Sequence, residues 1–169
     1  MFKDFDISKF KKMKPPGDNS FETMQEVKEL KKTPLNKSFV KKFDDVSAVF
    51  KKVAKDNNVE NYDEKLVERL IKDSAPVIIK LKKHFNRPRP KVSAKKLKIT
   101  MKDYEMDSMK TPSYPSGHST QAMLIGNVLA DKYPKASKAF KKAAENISYS
   151  RRVARAHYKS DSKVGEEIG

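Results

Sequence analysis

Ser113-Tyr114-Pro115-Ser116-Gly117-His118-Ser119 leads from a proline-containing loop into an apolar helical segment over 122–130. The backbone N–H groups that open such a helix have no intrahelical partner, so the junction is a ready site for an anion. Gly117 lets the backbone approach a bound oxyanion closely, and Ser116 can add a hydroxyl donor. His118, beside the turn, is placed to give a proton to a leaving-group oxygen.

On both sides of this junction the periodicity is helical. Phe21, Met24, Val27 and Leu30 recur at helical spacing until Thr33-Pro34 stops them. Phe39, Phe43, Val46, Val49, Phe50 and Val53 mark a second helix, ended by Asp56-Asn57-Asn58. Leu66, Val67, Leu70 and Ile71 mark a third. Ser74-Ala75-Pro76 predicts a break and a restart, the restarted helix over 77–85 carrying Lys80. Residues 91–114 read as loop and residues 136–149 as a last helix, with no strand pattern of convincing length. Residues 1–19, with Lys11-Lys12-Met13-Lys14 and Pro15-Pro16-Gly17, read as a basic arm ahead of one helical domain over 20–169.

Composition narrows the chemistry. With 38 basic against 22 acidic residues the formal charge is +16, which attracts polyanions: nucleic acid, anionic lipid or phosphorylated small molecules. Cysteine is absent, which removes disulfides, thiolate nucleophiles and cysteine zinc sites. No run approaches the roughly 18–20 apolar residues of a membrane span. Residues 1–14 lack the apolar stretch of a secretory signal, so a cytoplasmic location is expected, or a periplasmic or secreted one if this is a mature form.

Only six of the 38 basic residues are arginine, and five of them, Arg87, Arg89, Arg151, Arg152 and Arg155, sit in or beside three short motifs. Guanidinium grips phosphate oxygens bidentately where ammonium acts as a point charge, so the bias points to oxyanion recognition. Lys80 and Arg87 are close to two helical turns apart and would share one edge of a helix that lasted that long, although Pro88 moves Arg87 toward the helix end or the loop beyond. His157 and Asp161 stand at i, i+4, where the carboxylate can fix one imidazole nitrogen and leave the other free as a nucleophile. Arg151 lies about 120° round an unbroken helix from His157, so its side chain must bridge that angle or the helix must break between them. Two ligands are too few for a metal, and no metal site is expected. His84 has no such context and reads as a surface histidine.

Lys80-x6-Arg87-Pro88, Pro115-Ser116-Gly117-His118 and Ser150-Arg151-x5-His157-x3-Asp161, in that order, resemble the three-part signature of the type 2 phosphatidic acid phosphatase superfamily. The contexts Phe85-Asn86-Arg87-Pro88-Arg89-Pro90 and Ser113 to Ser119 resemble most closely the bacterial class A non-specific acid phosphatases. The resemblance implies an all-α, single-domain helical bundle of the acid phosphatase and vanadium haloperoxidase type, and a metal-independent acid phosphatase with no cofactor, inhibited by vanadate. It implies that Lys80, Arg87 and Arg151 bind phosphate oxygens with Ser116 and Gly117. His157 would then attack phosphorus, oriented by Asp161, and His118 would protonate the leaving alcohol.

Two departures stand out: Arg155 occupies a position where the family commonly has glycine, and the chain ends soon after Asp161, where the acid phosphatases usually continue into another helix. The expected partner is a phosphorylated small molecule or lipid head group, with homo-oligomers left open and nucleic acid not expected as a specific partner. The rival readings are a vanadate-dependent haloperoxidase and a basic polyanion-binding protein without chemistry.

Overall fold

The computed structural model describes residues 5–104 and 106–169, and among these it is helical without strands. The α-helices are α1 (Ile7–Lys11), α2 (Phe21–Lys32), α3 (Lys37–Lys42), α4 (Val46–Asp56), α5 (Glu64–Phe85), α6 (Pro90–Lys96), α7 (Gly117–Lys132), α8 (Ser137–Val153) and α9 (Lys159–Ile168). Short 3₁₀ turns lie at Asp107–Lys110 and Pro134–Ala136. Six of these helices begin where a side chain accepts a free N–H of the first turn: Asp6 from Ser8, Ser20 from Thr23, Asn36 from Phe39, Asp45 from Ala48, Asp63 from Leu66 and Ser116 from Ser119. Each such cap stabilises its helix by about 1 kcal/mol.

Helix α7 is the axis of the molecule and packs against α4, α5, α8 and α9. Enclosure on several sides explains why its apolar residues are not confined to one stripe. Its Ala122, Ile125 and Leu129 are fully buried with Phe50 of α4, Val67 and Leu70 of α5, and Phe140 and Ile147 of α8. At Gly126 an added Cβ would come within 2.8 Å of the Ala144 Cβ, so α8 lies closer to α7 than a side chain there would allow. A second cluster joins Phe10 of α1 to Leu81, Tyr114, Val164 and Ile168. The expected N-terminal arm thus holds a helix seated on the domain, and the Tyr114 hydroxyl donates to the Met13 carbonyl. Residues 1–4 of that arm lie outside the described residues.

Three local expectations are corrected. Helix α5 runs unbroken through Pro76. Val67 and Leu70 before the proline and Ile78 and Leu81 after it are buried along the same rod. The Ser74 hydroxyl and the Gln121 amide both donate to the Ile71 carbonyl, beside the turn whose ladder bond the proline removes. Residues 39–53 form two helices, because Asp45 caps a new start and leaves Phe43 and Asp44 as a corner. Residues 91–114 are not all loop, since α6 opens with Pro90 as its first residue, where a missing N–H costs nothing.

Candidate active site

The third motif is built on a break. Helix α8 ends at Val153, and the chain turns through Arg155 at φ 57° before α9 starts at Lys159. A left-handed arginine costs about 1–2 kcal/mol relative to glycine. Its buried guanidinium meets this cost by donating to the carbonyls of Leu30, Lys31 and Thr33 at the end of α2 and to that of Lys102. The break places His157 just before α9 and Asp161 in its first turn, where the carboxylate accepts the Tyr158 N–H at 3.0 Å. Asp161 is fully buried and also accepts from His157 Nδ1 at 3.1 Å, Arg87 at 2.8 Å and the Ser113 hydroxyl. Burial alone would raise its carboxyl; the hydrogen bond and charge of His157, with Arg87 and Ser113, hold it below the usual value.

With Nδ1 given to Asp161, His157 Nε2 is left as an acceptor, and Arg89 Nη1 donates to it at 2.9 Å. Burial first, then Arg89 and Lys82, depress the His157 imidazole to about 3 against the pull of Asp161. The guanidinium of Arg89 is itself clamped by the carbonyls of Thr111, Ala156 and Ser108. Lys82, also buried, donates to the Pro112 carbonyl at 2.7 Å, and its ammonium is lowered to about 7 by burial and by Arg89.

This geometry corrects the expected placement of Lys80 and Arg87. The stretch Lys80-Leu81-Lys82-Lys83-His84-Phe85-Asn86-Arg87-Pro88-Arg89-Pro90 contains the same lysine, six-residue gap and Arg-Pro twice, two residues out of step. Residues two apart on a helix point about 200° from one another, so Lys82 turned inward puts Lys80 in solvent. Helix α5 ends at Phe85 with Asn86 in the left-handed region, and Arg87 turns behind the site. There it donates to Asp161, to Ser160 at 2.8 Å and to Glu26 of α2 at 2.9 Å, with its guanidinium 3.8 Å over the Tyr158 ring. Glu26 in turn accepts the Ser160 N–H and hydroxyl.

The second motif stands at the N-terminus of α7. Ser116 is buried as the cap, its N–H donating to the Asp161 carbonyl, so its hydroxyl oxygen is engaged by Ser119 N–H. Gly165 of α9 lies against it; an added Cβ would come within 2.7 Å of the Ser116 carbonyl oxygen. Gly117 faces Ile78 and Lys82. The His118 Nε2–H donates to the Asp44 carbonyl at 2.8 Å, and burial, followed by Arg151, lowers its imidazole to about 4. Arg151, 1% exposed, gives one nitrogen to the Asp44 carboxylate at 3.0 Å, while its Nη2 is buried without a partner.

Lys82, Arg89, Gly117, His118 and His157 line one cavity of about 200 Å³ between α5, α7 and the third motif. A wider hollow of about 880 Å³ shares Arg89 and His118 with it and extends along Asp44, Val92, Met106 and Met109. Among the described residues no three His, Cys, Asp or Glu are grouped to hold a metal ion, and no helix is long and apolar enough to cross a membrane. Lys82 was readable as a second register of the same spacing. Asp44 carried only the signal of the neighbouring cap residue, Asp45.

Among the described residues the protein is all-helical, with two histidines and buried cations gathered at the N-terminus of its central helix. Residues 73–169 match the PAP2 superfamily, and the chain belongs to that family. Membership suggests phosphatase-type activity. No curated protein matches the sequence.

Proposed function

We propose that the chain is a metal-independent acid phosphatase that hydrolyses phosphomonoesters through a phosphohistidine. The observation that carries this reading is Arg89 Nη1 at 2.9 Å from an unprotonated His157 Nε2 whose other nitrogen is fixed by Asp161. A phosphoryl group that displaces this hydrogen bond meets a nucleophile and a cation at once. Lys82, Arg89 and Arg151, with the free N–H groups at Gly117 and His118, hold the three equatorial oxygens and oppose the charge that spreads over them. His157 Nε2 forms the bond to phosphorus as the ester oxygen departs, and His118 gives that oxygen its proton. His118 then takes a proton from water, which attacks the phosphohistidine and frees orthophosphate and His157. Arg87 acts through Asp161 rather than on substrate, and Lys80 has no role.

The test is hydrolysis of aryl and alkyl phosphates with and without EDTA and vanadate. Activity should survive the chelator and be inhibited by vanadate; activity lost to EDTA and restored by a divalent metal ends this reading. His157→Ala should abolish turnover and acid-labile phosphoenzyme. Lys82→Ala should lower kcat/KM by about 100-fold or more, as expected for a lost donor to a developing oxyanion, while Lys80→Ala stays within about twofold. The reverse order would restore the first register. Halide oxidation with vanadate and peroxide in place of hydrolysis would favour a haloperoxidase.

A further inference from the structure

We propose that Asp44 is a specificity-determining residue that turns the site against leaving groups carrying negative charge, so that it serves phosphomonoesters of neutral or cationic alcohols; this rests on the phosphomonoesterase reading above. Asp44 is the corner between α3 and α4, fixed on one side by the Asp45 cap and on the other by its own carbonyl, which accepts from His118. Its carboxylate Oδ1 is 3.0 Å from Arg151 Nη1 and 3.7 Å from His118 Nε2. The Asp44 carbonyl holds Nε2, so an ester oxygen that takes its proton from His118 meets Nδ1, one imidazole ring away from this carboxylate.

Two features keep the carboxylate there when phosphate is bound. Arg151 Nη2 is buried and without a partner, so the guanidinium can meet a phosphate oxygen without releasing Asp44. The Asp44 side chain is half exposed and lines the hollow of about 880 Å³ into which the leaving group must project. In a protein of formal charge +16 that hollow is nearly balanced, with Asp44, Asp45, Asp103 and Asp107 on its wall against Arg89, Lys91 and Lys110. Lys91 lies 3.4 Å from Asp103 and Lys110 3.1 Å from Asp107, so these pairs cancel and the uncompensated carboxylates of the wall are those at the Asp44–Asp45 corner. Val92, Met106 and Met109 supply an apolar surface for the rest of an alcohol. A second phosphate, as in a diphosphate, would extend into the hollow that Asp44 lines, where like charges repel.

Asp44→Asn tests this, because the amide keeps the shape, the backbone carbonyl for His118 and an oxygen for Arg151. Hydrolysis of inorganic pyrophosphate and of phenyl phosphate is compared in the parent and the variant. The same pair of proteins is titrated calorimetrically with methylenebisphosphonate and methylphosphonate. The variant should raise kcat/KM for pyrophosphate relative to phenyl phosphate, and binding of the bisphosphonate relative to the monophosphonate, each by roughly tenfold, the size of a modest like-charge repulsion. Asp44→Ser should follow it, and Asp44→Glu should keep the parent ratio. Unchanged or reversed ratios overturn the proposal. If the parent hydrolyses neither compound, the phosphomonoesterase reading fails, and the binding ratio alone then decides the role of Asp44.

Discussion

His157 Nε2 accepts from the Arg89 guanidinium, a donor that keeps its proton, and this fixes the protonation state from which the proposed cycle starts. His118 starts from the wrong one for its proposed role: lowered to about 4, it is neutral at about pH 6, yet the proposed acid must donate. A bound phosphate dianion beside it favours the imidazolium, so occupancy has to raise that value. The descending limb of kcat should therefore lie at least about one pH unit above that of kcat/KM, which reports the free enzyme, with the kcat maximum between about pH 5 and 7. Profiles from about pH 3 to 9 on an aryl phosphate check this, and coincident limbs would take the acid role from His118. The residues of this site were legible in the sequence to different depths. Gly117, His118 and His157 line the cavity, with Asp161 behind His157 and Arg151 reached through Asp44, and each has one place in its motif. Lys82 and Arg89 were hidden by a duplicate of their own pattern, and only the inward face of α5 separates the two registers.

Elements were read well where one face is apolar and poorly where a side chain overrules the pattern. The α8–α9 break, one of two alternatives the spacing of Arg151 and His157 left open, occurs at Arg155. Pro76 reads as a stop in isolation and is tolerated because a buried rod and neighbouring donors support it. The Phe43–Asp45 corner breaks a run of helical spacing that continues on either side, so periodicity alone misses it. Arg155 is the element-scale device most open to measurement. Arg155→Gly relieves a left-handed residue but removes four donors to buried or half-buried carbonyls, each worth about 1 kcal/mol or more as charge-assisted bonds. The net loss should be about 2 kcal/mol, a fall in Tm of roughly 4–8 °C by thermal denaturation. A variant as stable as the parent would show that glycine suits this turn better than the clamp does.

Across the whole molecule the buried ionisable groups push in one direction. His157 and His118 titrate near 3 and near 4 when folded, against about 6.5 in the unfolded chain, so the unfolded state binds more protons as pH falls below neutrality. Each removes up to about 1.4 kcal/mol per pH unit between 6.5 and its folded value, and Asp161, lowered by its partners, adds to the loss below about pH 4. Lys82, near 7 folded and near 10.5 unfolded, makes stability climb again between those values. Tm should thus rise from about pH 4 to 9, and Lys82→Met should flatten the part above pH 7, which separates it from the general relief of a +16 surface. A Tm that peaks near pH 5 would contradict this burial pattern. One further consequence concerns Glu26, which lies ahead of the family-matched residues 73–169 yet holds the far side of Arg87. A fragment trimmed to the recognisable region would keep every motif and lose the counter-charge behind them. Its Arg87 would be a buried cation with one carboxylate left, pulling on the same Asp161 that holds His157 Nδ1. The apparent preamble of this chain is in that sense the back wall of the proposed site.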